Sequence, residues 1–98
     1  MVLDDVKQQL QEGKRSIRCH EVGVLLESLG FSVRAGSRGG HKIYTHPKLK
    51  DFYSGSYNCG HGKNPEIKPA YINKILKNLD TYDAELRECL GGTDDDQN

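Results

Sequence analysis

His41 follows the glycine-rich run Gly36-Ser37-Arg38-Gly39-Gly40 and precedes Lys42. An imidazole in this setting can move a proton near neutral pH while flanking cations hold a phosphate. Gly39 and Gly40 let a backbone or a phosphate come close without an intervening side chain. Between Glu27 and Asp51 there is no acidic residue, whereas Arg34, Arg38, Lys42, Lys48 and Lys50 all fall there. We read this segment as one that handles a polyanion, RNA in particular. Attack of a 2′-hydroxyl on the adjacent phosphorus needs a base, an acid for the leaving 5′-oxygen, and positive charge at the phosphoryl oxygens. His41 suits the base or the acid and His61 a second proton carrier, with Arg38, Lys42 and Lys63 as cations. This chemistry requires no metal, and no cofactor is expected.

Other chemistry fits the residues less well. The glycine run leads toward a strand and lacks a Gly-Lys-Ser/Thr ending, which argues against a nucleotide-phosphate loop. Cys59-Gly60-His61 and Cys19-His20 offer zinc-type donors without the spacing of a zinc knuckle, so no metal site is expected. The three cysteines, Cys19, Cys59 and Cys89, are odd in number and irregularly spaced. They read as thiols in a reducing compartment. Tyr44 and Tyr57 are stacking surfaces for bases or half-buried packing. Lys68, Lys74 and Lys77 either extend a phosphate track or form a solvated helix face.

These side chains need a scaffold. Phe31–Ala35 and His41–His46 read as two strands around the glycine turn, with Tyr57-Asn58-Cys59 as a third. Before them, Val22, Leu25, Leu26 and Leu29 repeat at helical spacing over Cys19–Leu29, closed by Gly30. After them, Pro69 opens a helix that buries Ile72, Ile75, Leu76 and Leu79, with a continuation to Leu90 on Tyr82, Leu86 and Leu90. Residues 3–12 carry a further short helix on Leu3, Val6 and Leu10. Leu49 and Phe52 must fold back on the sheet. The pattern predicts an α+β fold with both central helices on one sheet face and the other face open. In the second strand His41 shares parity with Ile43 and Thr45, and Lys42 with Tyr44 and His46. An inward Ile43 would force His41 to the strand end, at the rim.

Ninety-eight residues make one domain, with 14 basic and 14 acidic side chains. Asp94, Asp95 and Asp96 hold three of the acids, so residues 1–92 carry a net +3. A basic face is compatible with the neutral total. The start has no signal-peptide pattern and no apolar run is long enough to cross a bilayer, so the expected address is the cytoplasm.

Leu25-Leu26-Glu27-Ser28-Leu29-Gly30-Phe31, the stretch Gly39-Gly40-His41-Lys42-Ile43-Tyr44-Thr45-His46-Pro47, and Lys68-Pro69 opening a helix together resemble the HicA toxins. The resemblance runs from about Ser16 to Leu79. It implies a double-stranded-RNA-binding-domain-like α-β-β-β-α core and endonuclease (mRNA interferase) activity of a toxin-antitoxin system. It also implies a HicB-like antitoxin as partner, and a single catalytic histidine that falls on His41. Gly40 and Lys42 depart from the family's Gly-Ser-His-His, removing a hydroxyl and a second imidazole. The expected organisation is a helical extension over 1–15, the HicA-like domain over 16–90, and a disordered acidic tail over 91–98. The rival readings are a catalytically silent RNA-binding module and a protein-interaction module.

Overall fold

The computed structural model describes residues 2–37, 39–60 and 62–90. The order is α1 (Val2–Glu12), α2 (Cys19–Ser28), β1 (Ser32–Ala35), β2 (His41–Thr45), β3 (Gly55–Asn58), α3 (Pro69–Thr81) and α4 (Asp83–Leu90). The class is α+β, as the apolar pattern predicted, and α2-β1-β2-β3-α3 forms the expected α-β-β-β-α order. The expected tail, 91–98, lies outside the described residues. Among the described residues no helix is long and apolar enough to cross a membrane.

Local chemistry sets the corners. Glu21 folds back to accept the Arg18 backbone N–H at 2.9 Å, satisfying an amide at the start of α2. At the other end Gly30 takes φ +93°. That left-handed residue lets the Gly30 and Phe31 N–H groups donate to the Glu27 and Leu26 carbonyls. The reversal turns Phe31 into the core, 5% exposed.

The sheet is antiparallel in the order β1-β2-β3. Val33, Tyr44 and Gly55 stand in one row and Ala35, Lys42 and Tyr57 in another on the same face. Tyr44 and Tyr57 are buried, because α2 packs on β1 and α3 on β3. Tyr44 Oη accepts from Asn78 Nδ2 of α3 at 2.8 Å. A Cβ on Gly55 would overlap the Tyr44 ring, so this row needs glycine. Leu49 and Phe52 do fold back: both are buried, and the Phe52 ring stacks on Tyr44 with centroids 5.7 Å apart. His46 is buried too. Its Nε2 donates to the Leu29 carbonyl at 3.0 Å and its Nδ1 accepts the Lys48 N–H at 3.1 Å, so its role is to join β2 to the end of α2.

α1 does not stand apart from the rest of the chain. Leu3, Val6 and Leu10 belong to the same buried cluster as Leu26, Ile75 and Leu86. Ion pairs tie it to the C-terminal helices: Arg87 Nη2 meets Asp4 at 2.7 Å, and Lys7 Nζ meets Asp80 at 2.9 Å and also reaches Asp83. Hydrogen bonds from Arg87 and Lys7, with a smaller contribution from their charges, hold the Asp83 carboxyl down at about 2. A depressed carboxylate stabilises the fold above its unfolded range near 4, and the benefit is lost as pH falls toward 2. Asp83→Asn should therefore flatten the loss of stability between pH 4 and 2, by about 1 kcal/mol given solvent screening. Urea midpoints of both proteins across that range measure it, and parallel curves would remove Asp83 from the acid response.

The cysteine expectation requires correction. Cys19 and Cys59 form a disulfide, with Cα atoms 5.4 Å apart and a sequence separation of 40. Spacing rules read local motifs, whereas this pair is made by the start of α2 meeting the end of β3. Cys89 remains free on α4.

Candidate functional site

His41 opens β2 on the face that carries Arg34, Ile43 and Ser56 in one row and Asn58 opposite His41 in the next. None of the described helices lies on this face: Arg34, Ser56 and Asn58 are exposed, and His41 and Ile43 are partly so. With Tyr44 inward, Ile43 points outward, and His41 reaches the open face without leaving the strand. The Gly36 N–H donates to the His41 carbonyl at 2.7 Å. A Cβ on Gly36 would fall on the imidazole, 3.0 Å from its Cγ, so the ring lies over bare backbone. The imidazole is thus half-exposed and backed by glycine.

The preceding turn is held from the other side. Gly40 has φ +79°. A Cβ there would sit 2.6 Å from the Gly60 carbonyl oxygen. The Cys59 N–H donates to the Gly40 carbonyl at 2.6 Å, and Asn58 Oδ1 accepts the Gly60 N–H at 2.8 Å. Gly39 is exposed beside a cleft it shares with Asn58, Gly60, Lys68 and Tyr71. Gly39 therefore stands in open space two residues before His41, whereas Gly40 is closed off by Gly60 and Asn58 on the side a Cβ would take.

The proposed cations do not all converge. Lys42 shares the row of Ala35 and Tyr57, so it belongs to the helix side of the sheet. There it lines a groove of about 430 Å³ with Glu27, Val33 and Tyr57. Alternation puts it across the sheet from the imidazole, and it does not flank His41 as the linear sequence suggests. Lys63 is exposed in the connection after β3, and no hydrogen bond or ion pair among the described residues links it to His41. Arg38 and His61 lie outside the described residues. Among the described strand residues, Arg34 is the cation on the open face, the diagonal neighbour of His41 across the β1–β2 ladder.

Arg34 and Asn58 join His41 on this face through the strand register, which parity along β2 alone does not fix. The stacking candidates also change. Tyr44 and Tyr57 are both buried, and burial pushes the Tyr57 phenol up to about 12, with Glu27 adding to the shift. Tyr53 instead stands 93% exposed. The larger groove, about 650 Å³ between α1 and α2, is lined by Glu12 and Glu21 with no lysine or arginine, which disfavours phosphate. Among the described residues no group of three or more His, Cys, Asp or Glu side chains is disposed to hold a metal ion. Compared with known proteins, the chain matches no family model, no curated protein and no solved structure.

Proposed function

We propose that this chain is a HicA-like mRNA interferase: an endoribonuclease in which His41 moves the proton for 2′-hydroxyl attack or 5′-oxygen departure. The observation that carries the reading is the half-exposed His41 imidazole over Gly36, on the open sheet face, with Asn58 opposite and Arg34 diagonal to it. Arg34 supplies positive charge for the phosphoryl oxygens and Asn58 an amide that can hydrogen-bond a phosphate or a base edge. Arg38, by sequence the neighbour of the glycine pair, is a second cation for the backbone. An mRNA substrate makes the cytoplasm the working compartment.

The test is incubation of a long single-stranded RNA with the purified chain in EDTA, followed by analysis of the product ends. Fragments ending in 2′,3′-cyclic phosphate and 5′-hydroxyl are expected, as internal attack requires. Intact RNA with folded protein would overturn the nuclease; if binding then weakens steeply with salt, the chain is an RNA-binding module.

The same reading assigns a base-stacking role to Tyr53. It precedes Gly55, at the end of the sheet away from His41, with β2 spanning about 14 Å between the two ends. Lys48 and Lys50 are exposed on the same loop. Tyr53→Ala should weaken RNA binding about tenfold, the equivalent of one stacked base, and leave thermal stability unchanged. Fluorescence anisotropy with a labelled oligonucleotide measures it, and unchanged affinity would remove Tyr53 from the RNA track.

A further inference from the structure

The turn that presents His41 is braced by a segment carrying half of a disulfide. Cys59 donates its N–H to the Gly40 carbonyl at 2.6 Å. Its sulfur is bonded to Cys19, the first residue of α2. The connection that follows is pinned to the same helix start: the Cys19 N–H donates to Pro65 O at 2.8 Å and the His20 N–H to Asn64 Oδ1 at 2.8 Å. A continuous path therefore runs from α2 through the disulfide to Cys59, Gly40 and His41. The two sulfurs differ in access. Cys59 is 4% exposed, whereas Cys19 is partly exposed and lines the groove that Lys42 and His20 also line.

We propose that the Cys19–Cys59 disulfide is a redox latch on the Gly39–His41 turn, closed by oxidation and opened by dithiols entering through the groove beside Lys42. The latch rests on His41 being the working group of the proposed nuclease. A dithiol's thiolate attacks Cys19 Sγ, the Cys19–Cys59 bond breaks, and Cys59 leaves as a thiolate that takes a proton from solvent. The second thiol of the reagent, as thiolate, then attacks the mixed disulfide. It becomes a cyclic disulfide and releases Cys19, which is protonated in turn. Two electrons and two protons pass to the protein. In a reducing cytoplasm, where disulfides in mesophiles are transient and redox-sensing, the latch rests open and oxidation closes it. Closed, it holds Cys59 against Gly40 and the imidazole in place. Open, it frees the brace while the core on α1 and α3 keeps the fold.

The experiment equilibrates the full chain with oxidised or reduced dithiothreitol, maps the thiols by alkylation, and follows amide exchange and RNA cleavage. Reduction should speed exchange of the Cys59 amide at least tenfold while the Ile75 and Leu79 amides of α3 stay within twofold. Cleavage should fall at least fivefold. A Cys19→Ser, Cys59→Ser double variant should exchange like the reduced protein in both buffers. Alkylation of Cys19 and Cys59 in the oxidised sample would overturn the latch, as would unchanged Cys59 exchange. Equal loss of protection in α3 would do the same by making the bond a staple of the whole fold, and equal cleavage in both forms would uncouple it from His41. Absence of cleavage in both forms overturns the nuclease reading, and the exchange data then decide the latch alone.

Discussion

His41→Ala should lower the rate of RNA cleavage about a thousandfold, the central size of a lost general acid or base. RNA affinity should stay within about threefold, because most of the binding energy comes from Lys and Arg contacts to the phosphates and one imidazole is a small part of it. The fold should survive, since the imidazole lies on the open face over Gly36 and is no part of the buried cluster. Single-turnover cleavage and anisotropy on the same preparation separate the two effects. Equal cleavage by both proteins would sink the assignment of His41. A parallel loss of cleavage and binding would make it a contact for RNA and take it out of proton transfer.

The largest stability effect is expected at Tyr44. Its ring meets Phe31 edge-on at 5.4 Å, stacks on Phe52 at 5.7 Å and lies 6.2 Å from Tyr57, centroid to centroid. Tyr44→Ala leaves a cavity where sheet, loop and α3 meet and should cost about 4 kcal/mol, as large aromatic deletions do. That is a large share of the roughly 5–15 kcal/mol typical of a domain. Tyr44→Phe keeps the ring and strips the acceptor from Asn78, at a cost of about 1 kcal/mol. Urea midpoints for the three proteins give the comparison. The result bears on function as well, because alternation along β2 sends Tyr44 and His41 to opposite faces. A Tyr44→Ala protein within 1 kcal/mol of the parent would mean that the face assignment, and with it the open position of His41, is wrong.

The helices were readable from spacing alone. Leu3, Val6 and Leu10, then Ile72, Ile75 and Leu79, recur at helical intervals and are all buried. Gly30 and Pro69 marked a helix end and a helix start for reasons local to their own backbones. The three strands were likewise readable to within a few residues, because the glycine turn and the chain reversal at Leu29-Gly30-Phe31 punctuate them.

The site was less legible. Adjacency in the chain suggested that Lys42 flanks the imidazole, yet consecutive residues of a strand point to opposite sides of a sheet. Which side becomes the core depended on whether Tyr44 or Ile43 had a helix to pack against. Tyr53 and Tyr57 are the same residue type four positions apart, one exposed and the other buried, and only the path of the loop after β2 separates them.

By itself the sequence determined the α+β class, the element order and the histidine that follows two glycines at the start of β2, since these follow from periodicity and backbone freedom over short stretches. The tertiary structure alone decided that Lys42 and His41 part company, that Arg34 and Asn58 share the face with the imidazole, and that Cys19 and Cys59 are bonded. Each of those depends on contacts between residues far apart in the chain, which no local pattern of residue types encodes.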